Sequence, residues 1–208
     1  MKTLIAVPTF DMLHTDFMRS FVDLKKPPET SYTIIKNTLI YSARNIVAAN
    51  AIEAGFDRVF WMDSDMTFPP DALLKLSKDM DEGRQFVGGL YFTRRPPKIR
   101  PIIYSELSLD GNTATEMTDY PEGIVECAAT GFGCCLVTVD LIKRVGDEFG
   151  SPFTPFSNMG EDIAFCWRAG QLGEKLYCDT TVKCGHIGSQ EFNEAYFKAH
   201  RAGMLQEE

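Results

Sequence analysis

The stretch Arg58-Val-Phe-Trp-Met-Asp-Ser-Asp-Met-Thr-Phe-Pro-Pro-Asp71 decides the fold prediction for this chain. Its apolar run, residues 59–62, predicts a short buried strand, because it does not alternate and it ends at turn signals. Asp63 and Asp65 follow, and ligands of open α/β sheets bind just beyond the carboxyl ends of strands. Paired carboxylates there can hold Mg²⁺ or Mn²⁺, which often share such ligands with substrate phosphates. Taken alone, Asp-Ser-Asp favours the alternative of a solvated turn that caps the next helix.

The composition predicts one globular domain. The chain has 208 residues, of which 44% are hydrophobic and 24% charged, and that is enough for a substantial core. Its net charge of −8 argues against a nucleic acid partner. No apolar run approaches the roughly 20 residues of a membrane span. The apolar run at residues 4–7 is too short for a signal peptide and predicts the first strand.

The cysteines favour a reducing compartment. None of the six belongs to a C-x-x-C pair, and most lie within apolar runs, as buried free thiols do. We therefore expect a cytoplasmic protein. The cysteines are Cys127, Cys134, Cys135, Cys166, Cys178 and Cys184.

Strands and helices alternate through residue 92, which predicts a mostly parallel sheet covered by helices. Strands are expected at 3–7, 30–35, 59–62 and 86–92, and helices at 14–24, at 42–55 and after Pro69-Pro70. Residues 93–126 change to short β-like pieces broken by turns such as 110–112. This predicts a small mixed or antiparallel section within the same domain.

The rest of the chain is predicted from shorter patterns. Residues 129–139 form a glycine-containing turn that runs into a buried strand, and a short helix at 140–145 is stopped by Gly146. A helix opens at Gly160, two short strands follow at 175–178 and 181–184, and 185–188 forms a turn. Residues 190–208 are a polar terminal helix or tail.

Two further features can carry chemistry. Glu161 and Asp162 open a helix, where the helix dipole favours ionised carboxylates, and an ionised carboxylate in a cleft is a candidate general base. Ordinary helix-start acids are the alternative. His186 lies between two glycines after a strand, and an imidazole nitrogen suits Mn²⁺-type sites that combine nitrogen and oxygen ligands. The basic segment 93–101 is better explained as a solvated loop than as a loop near an anionic ligand.

Together these features resemble the GT-A glycosyltransferases, closest to the family 2-like group, over residues 1–189. The resemblance implies an α/β GT-A fold, a Rossmann-like nucleotide-diphospho-sugar transferase domain, and Mn²⁺ or Mg²⁺ as cofactor. It also implies a nucleotide-binding half at 1–92 and an acceptor and catalytic half at 93–189. Asp63-Ser64-Asp65 matches the D-x-D motif. Asp65 would then hold the metal that bridges the donor diphosphate, and Asp63 would contact the ribose or assist the metal.

The resemblance also assigns other positions. Arg44, in Ser42-Ala-Arg-Asn45, matches a helix arginine that contacts the nucleotide, and Pro8 and Thr9 match the strand end beside the base. Glu161-Asp162 resembles the "ED" helix that supplies the base of inverting members, and His186 matches a late metal-binding histidine. The acceptor-side turn corresponds to Gly131, Phe132 and Gly133.

The implied function is metal-dependent transfer of a sugar from a nucleotide-diphosphate donor, with UDP-sugars favoured, to a glycan, lipid-linked or protein hydroxyl. Asp162 would act as base and give inversion, although Glu161 could take that role and a retaining mechanism stays open. The alternatives are a non-catalytic nucleotide-sugar-binding module and a nucleotidyltransferase. The latter should show a glycine-rich basic loop after the first strand, and residues 8–12 contain neither glycine nor a basic side chain.

Overall fold

The computed structural model describes residues 1–94, 98–109, 113–188 and 191–203. Its strands are β1 (Thr3–Pro8), β2 (Thr30–Ile35), β3 (Arg58–Met62), β4 (Met66–Thr67), β5 (Phe86–Leu90), β6 (Ile103–Ser108), β7 (Thr113–Glu116), β8 (Ile124–Cys127), β9 (Ala129–Thr130), β10 (Cys134–Thr138), β11 (Leu176–Lys183), β12 (Gly185–Ile187) and β13 (Glu191–Phe192). Its helices are α1 (Thr15–Asp23), α2 (Ile40–Glu53), α3 (Ala72–Met80), α4 (Val139–Phe149), α5 (Glu161–Gln171) and α6 (Glu194–Arg201).

A seven-stranded sheet in the order β2-β1-β3-β10-β5-β11-β8 forms the centre of the fold. Strands β2, β1, β3, β5 and β11 share one direction, whereas β10 and β8 run against their neighbours. The predicted mostly parallel sheet is therefore confirmed. Strand β10 inserts between β3 and β5, so strands from both predicted halves of the chain build one sheet.

Helices cover both faces of this sheet. In β3, Val59 and Trp61 pack in the core with α2, α4 and α5, while Phe60 and Met62 pack in the core with α1 and α3. All five residues of β3 are buried. A strand covered on both faces has no polar side, which is why its sequence shows an unbroken apolar run.

The antiparallel section predicted after residue 92 is a three-stranded sheet in the order β7-β6-β9. A second small sheet, β13-β12-β4, joins the segment after Asp65 to the end of the chain. The predicted turn at 110–112, residues 95–97 of the basic segment, Ser189 and Gln190, and residues 204–208 of the tail lie outside the described residues. Within the described part of the terminal segment, β13 precedes α6.

The structure corrects several predicted boundaries. Helix α4 continues through Gly146 and ends at Gly150, which has a φ of +78°. Glycine inside a helix costs only about 1 kcal/mol relative to alanine, whereas the left-handed position that ends a helix favours glycine strongly. Helix α2 begins at Ile40, so Arg44 lies in its second turn and not, as predicted, in its first.

The strands near the C-terminus were also predicted wrongly. Strand β11 is continuous through Asp179, where two strands were predicted, although its pairing with β5 shifts register between Asp179 and Lys183. The predicted turn at 185–188 contains strand β12. Its Gly185 allows close packing and does not make a turn, since a Cβ there would lie 2.5 Å from Thr67 Oγ1.

All six cysteines are buried and unpaired, as predicted. Across the parts of the chain that the structure describes, no helix combines the length and apolar character of a membrane span.

Candidate active site

The two carboxylates of Asp63-Ser64-Asp65 lie in a tight turn at the carboxyl end of β3. The Met66 amide donates to the Asp63 carbonyl at 3.2 Å, which closes the turn. The Asp63 amide donates to the Gly133 carbonyl at 3.1 Å, which ties the turn to the start of β10. The predicted strand-end position is confirmed, and the turn directs the two carboxylates to different neighbours.

Arg44 of α2 is the inner partner of Asp63. Its Nη2 donates to Asp63 Oδ1 at 2.9 Å, and its Nε donates to Glu161 Oε1 at 3.2 Å. The residue is 1% exposed, and its guanidinium lies 5.3 Å from the ring centroids of both Trp61 and Phe132. From its buried position, Arg44 thus links the turn at Asp63 to the start of α5.

The pKa values around Arg44 follow from burial and charge. Burial opposes the charge on Arg44, but the carboxylates of Asp63 and Glu161 raise its pKa above the usual value. Burial raises the pKa of Asp63, and the Arg44 charge opposes this effect. Arg44 therefore supplies the positive charge that favours the ionised form of Asp63 in this partly buried position.

Asp65 and His186 meet because β4 and β12 pair. His186 is opposite Met66 in this antiparallel register, and the Ile187 amide donates to the Asp65 carbonyl at 2.7 Å. His186 Nε2 then lies 3.7 Å from Asp65 Oδ2. A strand pairing, rather than a loop, places the predicted late histidine beside the predicted metal carboxylate.

The other ring nitrogen of His186 is fixed. Its Nδ1 lies 2.7 Å from the Phe92 carbonyl oxygen. Because a carbonyl can only accept, Nδ1 carries the hydrogen that is donated to Phe92, and Nε2 is the ring nitrogen that faces Asp65. Histidine ligands of metals are commonly oriented in this way, with the second nitrogen donating to a backbone carbonyl.

Arg94 also contacts Asp65. Its Nη1 lies 2.6 Å from Asp65 Oδ2 and donates to the Ile187 carbonyl at 2.5 Å. Burial opposes ionisation of Asp65, but His186 and Arg94 lower its pKa below the usual value. Of the described residues in the basic segment, Arg94 thus reaches the site, whereas Arg100 pairs with Glu116 at 2.5 Å.

These donors fit a divalent cation only in part. Asp65 supplies an ionised carboxylate, and His186 an oriented nitrogen on the same side. Within residues 1–94, 98–109, 113–188 and 191–203, no group of three or more His, Cys, Asp or Glu side chains is arranged to hold a metal. Mg²⁺-type ions usually bind through one or two carboxylates together with substrate phosphates and waters, so a site with few protein ligands, such as Asp65, is usual for them.

Glu161 and Asp162 open α5, and they have different surroundings. Glu161 is bound by Arg44, whereas Asp162 forms no ion pair with the described residues and accepts a 2.8 Å hydrogen bond from the Ile163 amide. Burial, and then the Glu161 charge, raise the pKa of Asp162 to about 6. This upward shift is opposite to the effect expected from the helix dipole, yet Asp162 is still largely ionised at neutral pH.

Five of the six predicted donor-binding residues line one cavity of about 310 Å³. Pro8 and Thr9 come from the end of β1, and Asp63, Ser64 and Asp65 come from the end of β3. Arg44 does not line it. The sequence did not identify four further lining residues, which are Phe10, Thr38, Leu39 and Ile40. Phe10 and Leu39 are exposed apolar residues at adjoining loops, and this exposure is visible only in the structure.

The turn Gly131-Phe132-Gly133 is buried and packs under Tyr91. A Cβ on Gly131 would lie 1.8 Å from Tyr91 Oη, and the Gly133 amide donates to that oxygen at 3.2 Å. Burial raises the pKa of Tyr91 well above its usual value, and its ring meets His186 edge to face. The turn supports the site, and its predicted contact with an acceptor stays a prediction.

A larger cavity of about 600 Å³ lies beside α6, and none of the predicted site residues lines it. Most of its charged side chains are paired with one another, Lys183 and Lys198 with Glu194, and Arg201 with Asp119. We therefore place the candidate active site at the carboxyl end of β3, where carboxylates face cations and a cavity.

The chain has the GT-A fold, as the sheet and its neighbours among solved structures show. It aligns with A197 from STIV at 17% identity and a TM-score of 0.67, over 90% of this chain and 86% of that one. GalNAc-T7, solved with UDP, GalNAc and Mn²⁺, aligns at 11% identity and a TM-score of 0.64, over 90% of this chain and 44% of that one.

TarS 1–349 of S. aureus aligns at 15% identity and a TM-score of 0.55, over 87% of this chain and 61% of that one. GalNAc-T7 and TarS are glycosyltransferases, and at these identities the likeness concerns the fold. No family model matches the sequence, and no curated protein matches it either.

Proposed function

We propose that this protein is a metal-dependent glycosyltransferase that moves a sugar from a nucleotide-diphosphate donor to an acceptor hydroxyl with inversion. One observation carries the proposal. Two carboxylates lie at the end of β3, and Arg44 links one of them, Asp63, to Glu161 of the Glu161-Asp162 pair through hydrogen bonds of 2.9 and 3.2 Å. The same two carboxylates line the cavity that begins at Pro8 and Thr9.

Asp65 and His186 would hold the cation, Mn²⁺ or Mg²⁺, with Asp63 as an assisting oxygen. The different surroundings of the two aspartates support this division. Asp65 faces His186 and the cavity, whereas Asp63 is held inward by Arg44 and keeps its second oxygen for the ribose or the ion. When bound, the cation acts as a Lewis acid toward the charge that develops on the leaving diphosphate.

Asp162 is the proposed base. In a single displacement the acceptor oxygen bonds to the anomeric carbon, the bond from that carbon to the diphosphate breaks, and Asp162 takes the acceptor proton. A carboxylate with a pKa of about 6 accepts a proton more readily than an exposed aspartate and is still ionised at pH 7. Glu161 fits this role less well, because Arg44 already binds its Oε1.

The donor is proposed to be a UDP-sugar, the class that the sequence favours. GalNAc-T7 was solved with UDP, which supports this choice by fold analogy alone. Arg44 would act on the donor through Asp63, since its own guanidinium is buried behind the cavity.

Asp162→Asn tests the proposal. The amide keeps the size of the side chain and cannot accept the acceptor proton, so transfer from a UDP-sugar should fall by roughly a hundredfold or more while UDP binding in the presence of Mn²⁺ is retained. The control is Asp16→Asn, the same change at an exposed acid in the first turn of α1. It should leave both quantities unchanged.

The outcomes separate the alternatives. Unchanged turnover in Asp162→Asn would contradict the base assignment. Binding of UDP and Mn²⁺ without transfer to glycan, lipid-linked or protein acceptors in the wild type would favour a nucleotide-sugar-binding module. The anomeric configuration of the product, measured by NMR, distinguishes inversion from retention.

A further inference from the structure

Arg94 and His186 both lie beside the same oxygen of Asp65, Oδ2. Arg94 Nη1 lies 2.6 Å from Asp65 Oδ2, and His186 Nε2 lies 3.7 Å from the same oxygen. The guanidinium therefore occupies space beside the carboxylate oxygen that His186 Nε2 also faces. A divalent cation held by Asp65 and His186 would have to enter beside an existing positive charge.

Hydrogen bonds hold the backbone just before Arg94 in place, while the Arg94 side chain is partly exposed to solvent. The Thr93 amide donates to the Arg100 carbonyl at 2.8 Å, and Phe92 forms a β-bridge with Pro101. These contacts fix the position from which Arg94 extends. Its side chain is 42% exposed, so the guanidinium can rotate toward solvent or the cavity without disturbing the core.

The chemistry of the guanidinium suits both positions. It pairs with a carboxylate when no other cation is present, and it binds phosphate oxygens through planar, two-point hydrogen bonds. A divalent ion and a guanidinium at one carboxylate oxygen repel each other and compete for the same negative charge. Since the donor brings its own phosphate oxygens, an arginine displaced from Asp65 has an anionic partner at hand.

We propose that Arg94 is a resident cation of the metal position. It neutralises Asp65 in the free protein, competes with a divalent ion for Asp65 Oδ2, and on displacement binds a phosphate oxygen of the nucleotide. The inference rests on the proposed function for the metal and the donor, and it adds a positioning residue that the D-x-D resemblance does not contain. As a result, a divalent cation alone binds weakly, and the cation and the nucleotide each strengthen the binding of the other.

The test uses Mn²⁺ alone and then UDP, with the full chain. Free Mn²⁺ is measured by electron paramagnetic resonance during titration of the wild type, Arg94→Gln, Arg94→Lys and Arg100→Gln. Arg100 is the matched control, because it lies in the same segment, pairs with a carboxylate at 2.5 Å and is also 42% exposed. Thermal melting of each variant confirms that it is folded.

Arg94→Gln should bind Mn²⁺ on the order of tenfold more tightly than the wild type, because the opposing charge is gone. In saturating Mn²⁺ the same variant should bind UDP on the order of tenfold more weakly, since a phosphate contact is lost. Arg94→Lys should bind Mn²⁺ nearly as weakly as the wild type, because it keeps the charge, and Arg100→Gln should match the wild type in both titrations.

Equal or weaker Mn²⁺ binding by Arg94→Gln would overturn the inference while leaving the metal site in place. If neither the wild type nor Arg94→Gln binds Mn²⁺, both the inference and the metal part of the proposed function fail. If Arg94→Gln alone binds Mn²⁺, the inference is supported in its strongest form.

Discussion

A buried guanidinium is stable only when hydrogen bonds and opposite charges offset its loss of water. Arg44 receives both from two motifs that lie 19 and 117 residues away along the chain. The Arg44 guanidinium also packs against Trp61 and Phe132, whose ring faces attract cations. At the scale of the residue, Arg44 therefore sets the geometry of the acidic site, because Asp63 and Glu161 are held by one planar group.

Arg44→Gln should lower the free energy of unfolding by about 3–5 kcal/mol, the usual cost when one partner of a buried ion pair is removed. The physical reason is that Asp63 and Glu161 would lose their shared countercharge. Arg58→Gln is the control, since Arg58 is also buried but its partner Asp81 is largely exposed and can be hydrated. Urea unfolding at pH 7.5 measures both, and an equal or smaller loss for Arg44→Gln would contradict the argument.

Asp162 gives the proposed reaction a defined pH dependence. The base must be ionised, and burial raises its pKa from 3.8 to about 6. We expect kcat/KM to be level above that pKa and to fall about tenfold per pH unit below it. An acidic limb near pH 4, the region of an unshifted carboxyl, would show that Asp162 is not the titrating group.

The same shift has a consequence for stability. A folded-state pKa above the unfolded value means that the protonated carboxyl is the better accommodated form. The stabilisation is fully present below pH 3.8 and is lost as the pH rises through about 6. Asp162→Asn should therefore stabilise the protein at pH 7.5, by at most about 3 kcal/mol, and the gain should shrink as the pH falls from 6 toward 4. Thermal melting at several pH values measures this, and a pH-independent effect would contradict it.

The local sequence predicted that the acids of the site lie at a strand end and a helix start, but it did not predict that Arg94 contacts Asp65. Asp63, Asp65 and Asp162 were identified because strand ends and helix starts leave local signals. The salt bridge from Arg94 to Asp65 spans 29 positions and depends on how the chain returns after β5. Nothing in the local pattern around Arg94 distinguishes this contact from a solvated loop, which was the preferred prediction.

At the scale of the element, the pairing of β4 with β12 decides whether a metal site can exist. Two residues of β4 were too few to predict, and the glycines around His186 indicated a turn. The structure uses Gly185 for close packing against Thr67 and thereby aligns His186 with Asp65. Short strands that depend on distant partners leave little trace in a sequence window, because their stability comes from the pairing itself.

The turn at Gly131 provides a test at the scale of the element. Gly131→Ala should cost about 1–3 kcal/mol of stability by overpacking, because the new Cβ would lie 1.8 Å from Tyr91 Oη. Tyr91→Phe in the same chain should recover part of the loss, since it removes that oxygen. Gly170→Ala is the control, as a Cβ there meets nothing within 4 Å, and in helix α5 it should be neutral or stabilising. Urea unfolding compares the four proteins, and failure of Tyr91→Phe to recover any stability would place the clash elsewhere.

At the scale of the whole molecule, one sheet binds the two predicted halves together. Strand β10, from the second half, lies between β3 and β5 of the first half and pairs with both. The alternation of strands and helices predicted the parallel part of this sheet, but the insertion of β10 needs long-range pairing that periodicity does not report. Since Asp63 directly follows β3 and Gly133 directly precedes β10, this insertion brings the acidic turn and the Tyr91 region to one edge.

Such a shared edge should respond to ligand as one unit. In the presence of Mn²⁺, the correct nucleotide-sugar at a hundred times its Kd should stabilise the native state by about 2.7 kcal/mol, which corresponds to a rise in Tm of roughly 5–10 °C for a chain of this length. A panel of UDP-, GDP- and other nucleotide-sugars measured by thermal shift would identify the donor. Asp65→Asn should abolish the Mn²⁺-dependent part of the shift, because Asp65 is the proposed ligand. A shift of equal size in Asp65→Asn would move the metal site elsewhere, and the lack of any shift across the panel would argue against the proposed donor class.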